Sequence, residues 1–130
     1  MGNQQSLSFC NCQELQDKIS NVSKVEPFLL ISTLDKEYQH CLIQGTLSID
    51  DEETQINEYI RCKKKANVIV YGKNYRDETV YKKFKQLCQF GLFKVKMYGG
   101  GIFEWLLLQE IYGKQLFPTQ GEENDILKYK

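Results

Sequence analysis

The chain has 130 residues, 42% hydrophobic and 26% charged, with only two prolines. That is enough for one packed core and too little for two, and it is not the balance of a disordered tail. Seventeen basic and seventeen acidic residues cancel, so no global field draws the protein onto nucleic acid.

Five cysteines, Cys10, Cys12, Cys41, Cys62 and Cys88, form an odd set without framework spacing. Such a set implies reduced thiols and a cytoplasmic location. His40 is the single histidine, so the Cys10-Asn-Cys12 pair lacks partners for a zinc site, and neither metal nor cofactor is expected. The apolar runs stop well short of the ~20 residues that a membrane-spanning helix needs.

At the start, Met1-Gly-Asn-Gln-Gln-Ser6 fits the N-myristoylation pattern, with Gly2 as acceptor. One such chain binds membranes only marginally, and Cys10 and Cys12 are placed to add a palmitoyl group, so a peripheral membrane contact is expected. Residues 1–12 read as an arm, 13–115 as the domain and 116–130 as a tail. The tail, with Phe117, Ile126, Leu127 and Tyr129, either packs back on the domain or offers a second binding surface.

Asn11–Ser20 suits a short amphipathic helix with Leu15 and Ile19 on one face. Phe28–Thr33 is a continuous apolar run and reads as a buried strand. Cys41–Ile49 reads as a second strand broken by Gly45, and Asp50–Lys64 as a helix opened by acidic residues that favour its N-terminus. The Arg61–Lys65 run reads as a solvated loop feeding Val68-Ile-Val-Tyr71, a β-branched strand expected at the centre of the sheet. Asp77–Phe90 carries Val80, Phe84, Leu87 and Cys88 on one helical face, and Gly91 ends it. Lys94–Tyr98 alternates as a strand near an edge does, and Gly99-Gly-Gly101 leads into a helix holding Trp105, whose size makes it a core anchor. The alternation of strands and helices implies an α/β fold: a small parallel sheet flanked by helices on both faces.

The order Val68–Tyr71, loop Gly72–Asp77, Leu87 to Phe90-Gly91, Val95, then Gly100-Gly101-Ile102-Phe103-Glu104-Trp105 resembles the rhodanese-like domain family. Leu30-Ile31, Glu37-Tyr38 and Ile43-Gln44-Gly45-Thr46 fit its first half, so the resemblance spans roughly Phe28 to Ile111. It implies a catalytic cysteine at the end of the central strand, whose thiolate is held by loop N–H groups and a helix N-terminus. That position is Gly72 here, and Lys73, Asn74, Tyr75, Arg76 and Asp77 complete a loop without Cys, Ser or Thr.

Two further departures accompany it: Ser32-Thr33-Leu34 replaces an Asp-x-Arg element, and Leu42 stands where a histidine is expected, with His40 displaced by two. Cys62, beside Lys63 and Lys64, is the best alternative nucleophile for a sulfurtransferase or phosphatase. The leading expectation is a non-catalytic module that binds a protein partner or enters a larger assembly, without nucleic acid. Lys73 and Arg76 are candidate anion ligands, although Asp77 and Glu78 compete for the same helix end. Gly72 is expected at the base of the loop, its backbone exposed in a shallow depression.

Overall fold

The computed structural model describes residues 7–20 and 28–130; Gly2 and the rest of the myristoylation motif lie outside the described residues. Four strands form a wholly parallel sheet in the order β1 (Phe9–Cys10), β5 (Phe93–Tyr98), β4 (Ala66–Tyr71), β2 (Phe28–Ser32). β4 is central, as its β-branched run requires. Side chains alternate across each strand, so neighbouring residues feed two different cores.

One core places Leu30, Ile69, Tyr71 and Tyr98 under α1 (Cys12–Ser20) and α4 (Gly101–Tyr112), with Leu15 and Trp105 fully buried. The other places Ile31, Val68, Val70 and Val95 under α2 (Ile49–Cys62) and α3 (Glu78–Cys88), through Ile56, Val80, Phe84 and Leu87. The parallel sheet with helices on both faces is therefore present. Among the described residues no helix is long and apolar enough to cross a membrane.

Cys41–Ile49 is not one strand. β3 covers only Cys41–Ile43, Gly45 turns the chain at φ +93°, and Ile49 opens α2. Ser48 caps that helix by accepting a hydrogen bond from the Asp51 N–H (3.1 Å), a contact of about 1 kcal/mol. β3 belongs to a second, two-stranded antiparallel sheet with β6 (Thr119–Gly121). The segment read as an arm supplies β1, and residues 116–130 pack back on the domain, burying Phe117 and Tyr129.

Polar contacts hold that return. Trp105 Nε1 donates to Pro118 O at 3.0 Å, and Gln120 Oε1 accepts from the Gly45 N–H at 2.7 Å. Glu123 binds His40 Nε2 (2.7 Å) and Lys128 Nζ (2.9 Å). Lys128, the Asp125 N–H and His40 hold the Glu123 carboxyl down at about 2.

Candidate functional site

β4 ends at Tyr71, whose buried hydroxyl accepts from the Ile43 N–H (3.0 Å) and meets Thr46 Oγ1 (2.7 Å). This locks the end of the central strand against the β3 turn, so the loop that follows starts from a fixed point. Gly72 begins that loop, but it is buried and not exposed in a shallow depression as expected. The reason is steric: the space a side chain would take is filled by the Asp77 carboxylate, with Val80 Cγ2 at 2.7 Å and Thr33 Oγ1 at 2.8 Å from an ideal Cβ.

Asp77 is the cap of α3 and folds back under the loop. Its Oδ2 accepts from the Lys73 N–H (2.9 Å), and its Oδ1 from the Thr79 N–H (3.0 Å) and hydroxyl (2.5 Å). Asn74 shapes the turn, its Oδ1 accepting from the Arg76 N–H (2.8 Å). The start of α4 is also engaged: Ile102 N–H donates to Gly72 O (3.0 Å) and Phe103 N–H to Lys73 O (2.9 Å). Two helix N-termini thus converge on the loop, one occupied by a carboxylate of the chain itself and the other by two loop carbonyls.

The parallel sheet covered by helices on both faces has counterparts among solved structures. Neither a family model nor a curated protein sequence matches the chain. The yeast protein Ygr203w, described as a protein tyrosine phosphatase of the rhodanese family, superposes with TM-score 0.65 at 16% identity over 95% of this chain and 99% of that one. The rhodanese-like domain of the Anabaena protein Alr3790 superposes with TM-score 0.61 at 18% identity, over 90% and 81%. The fold is rhodanese-like. The BH2092 protein of Bacillus halodurans shares it, with TM-score 0.64, 22% identity and coverage of 88% and 77%.

The loop does not bring Lys73 and Arg76 to one pocket. Lys73 Nζ lies over the Tyr38 ring, 4.5 Å from its centroid, whereas Arg76 lines a groove on the other side. That groove, about 270 Å³, runs between the loop, α3 and β1, with Leu7, Phe9, Tyr75 and Tyr81 as its exposed apolar rim. Tyr75 is 81% exposed at the loop tip. Tyr75 and Arg76 belong to the loop singled out in the sequence, whereas Tyr81 and Met97 of the lining were missed; the apolar pair Leu7 and Phe9 ahead of Cys10 was the available signal. Behind the loop, Asn74 Nδ2 donates to Tyr129 O (2.5 Å), and the Tyr129 ring stands 5.6 Å from Tyr38. The tail therefore braces the loop from below.

No cysteine reaches this cradle. Cys62 ends α2, exposed, its thiol donating to Glu58 Oε2 (3.2 Å). It precedes β4 while the loop follows β4, so the strand's length, about 20 Å at ~3.3 Å per residue, separates them. Cys41 and Cys10 are buried, Cys12 and Cys88 half-buried. Burial raises the Cys41, Cys12 and Cys88 thiols and, aided by Glu14, pushes Cys10 up to about 12. Acylation of Cys10 therefore requires the sheet edge to open. Among the described residues no cluster of His, Cys, Asp or Glu stands ready for a metal. At pH 8, iodoacetamide is expected to modify the exposed Cys62 first and the buried Cys10 at least ~100-fold more slowly, because burial shields Cys10 and keeps it protonated. Peptide mapping by mass spectrometry reads the order, and 8 M urea should abolish it.

Proposed function

We propose that this chain is a non-catalytic rhodanese-like module that holds a protein partner through its loop and the adjoining groove. The observation carrying the proposal is the Asp77 carboxylate, bound by the Lys73 and Thr79 N–H groups and filling the space beside Gly72. The resemblance puts the nucleophile's sulfur and its anionic substrate in that place. A carboxylate tethered five residues away is always present there, so an external anion meets no nucleophile and has to compete with Asp77 for the Lys73 and Thr79 N–H groups.

What the loop retains is surface. Tyr75 and Arg76 are of the residue types that anchor interfaces, and they stand beside a groove with an apolar rim. Lipid attachment at Gly2 belongs to the same proposal; Cys12, half-buried, is a more accessible second acceptor than the buried Cys10. Intact-mass measurement on protein from its native source tests the acylation.

The test of the main reading has two arms. Purified protein is expected to form no thiocyanate from thiosulfate and cyanide and to hydrolyse no aryl phosphate. Capture from the native source with the full chain is expected to retain a partner that Tyr75→Ala with Arg76→Ala loses, with the unfolding midpoint unchanged. Turnover that disappears in Cys62→Ser would overturn the reading and favour an enzyme.

A further inference from the structure

The chain is neutral as a whole, yet its charges are sorted by end. Because the four strands of the main sheet are parallel, the helices between them run back to the end where the strands begin. Acidic residues stand in their first turns, Glu14 in α1, Asp50 and Asp51 in α2 and Glu78 in α3; basic residues stand in their last turns, Lys18, Arg61 and Lys85. The helix dipole accounts for that much. It does not account for Lys65 and Lys94, which sit at the entries of β4 and β5, and Lys63 and Lys64 extend the same cluster.

We infer that this end of the sheet docks on an anionic membrane surface. Ala66 pairs with Phe93 and Asn67 with Lys94, so Lys65 and Lys94 share a hollow of about 340 Å³ that Gly91, Leu92 and Phe93 complete. Directly before Lys65 come Lys63, the left-handed cap of α2 at φ +55°, and Lys64, whose Nζ lies 5.9 Å from the centroid of the Tyr59 ring. All four lysines are exposed, and Lys63, Lys65 and Lys94 have no acidic partner among the described residues. The acidic residues toward this end are Glu58, which Arg61 holds at 2.7 Å, Asp17, beside Lys18 on α1, and Glu110, across the sheet in the last turn of α4. None of them belongs to the hollow.

Two observations select a membrane over other polyanions. The first is an apolar tip within the basic cluster: in the turn between α3 and β5, Phe90 is 44% exposed and Leu92 half-buried, on either side of Gly91. A lipid interface takes both kinds of group at once, lysines at the level of the headgroups and apolar side chains below them. The second is where the chain enters the sheet. Phe9 pairs with Met97 in parallel, so Leu7 is level with Val95 and β1 is entered from the side of Lys94. Gly2 precedes Leu7 by a span of at most about 17 Å of extended chain, so an acyl group there and the lysines can engage one leaflet. A single acyl chain needs such a second signal, and a basic patch supplies it without opening the sheet at Cys10. Docked this way, the molecule holds the Gly72–Asp77 loop, at the opposite end of β4, away from the lipid and open to a partner.

Co-sedimentation of the unacylated full chain with vesicles tests the patch by itself. With phosphatidylcholine vesicles containing about 30 mol% phosphatidylserine the protein is expected to pellet at about 50 mM salt and to be released at about 500 mM, where screening reaches only ~4 Å. Vesicles of phosphatidylcholine alone should leave it in solution. Lys63→Gln with Lys65→Gln and Lys94→Gln should lower the partition coefficient about 100-fold, roughly 5-fold per lysine, while the urea midpoint stays unchanged. Tyr75→Ala with Arg76→Ala should leave vesicle binding intact, which separates this face from the partner-binding loop. A single-stranded RNA of about 20 nucleotides, the alternative polyanion, is expected to show no binding in the same buffer. Failure to pellet on the anionic vesicles, equal pelleting without phosphatidylserine, binding that the triple variant retains, or RNA bound in preference to vesicles overturns the inference.

Discussion

A chain ended after Gln115 is expected to lose cooperative unfolding altogether. Residues 116–130 complete a core that the rest of the chain leaves open: Phe117 stands edge-on to Trp105 with centroids 5.0 Å apart, and Tyr129 is fully buried among Tyr38 and the neighbouring core residues. Removing one buried aromatic costs about 3–5 kcal/mol, and total stability is only about 5–15 kcal/mol. The truncation removes two, together with β6 and the Pro118 acceptor of Trp105 Nε1. Trp105 is the single tryptophan, so its emission should shift to the red, near-UV dichroism should vanish and the urea transition should flatten. A sharp transition at the full-length midpoint would mean that the tail is an ornament.

Gly101→Ala is expected to destabilise the domain by about 2–5 kcal/mol. The residue has φ +67°, and a Cβ there would stand 2.6 Å from Gly72 O and 2.7 Å from the Lys73 carbonyl. Those carbonyls accept the first N–H bonds of α4, so the methyl group pushes the loop off the helix that braces it. Gly91→Ala separates the two causes. It has φ +72° but nothing within 4 Å of its Cβ, and only the backbone strain of about 1–2 kcal/mol should appear. Urea midpoints of the pair measure the difference, and equal losses would remove the loop contact from the account.

What could be read from the sequence follows the locality of the forces. β2 and β4 carry unbroken apolar runs because both faces of a parallel strand are buried, and α3 shows its core face at helical spacing. Gly72, Asp77 and Trp105 were placed at their points in the element order by resemblance. Competition for the α3 terminus by acidic residues followed from chain chemistry alone. β1 and β6 were not legible, having two and three residues that become strands only because distant partners pair with them. The merging of β3 with the start of α2 had a local remedy: Ser48 three residues before Asp51 is a capping signature that outweighs the apolar Leu47 and Ile49 around it. The filling of the site next to Gly72 was beyond any pattern, since it depends on which way one carboxylate turns.

The sheet order has a consequence for how the protein is made. Phe9 pairs with Met97, and Cys41 with Gly121, so the first strand synthesised waits for β5, and β3 waits for residues beyond α4. At ~5–20 residues per second, β1 and β3 stay unpaired on the ribosome for several seconds or longer. Such spans exceed the time a small α/β domain needs to fold. During that interval Trp105 and its apolar neighbours on α4 are made before the residues that cover them. Nascent chains should therefore bind holdase chaperones until Phe117 and Tyr129 emerge, and slow synthesis between residues 98 and 117 is expected to lower the yield of native protein.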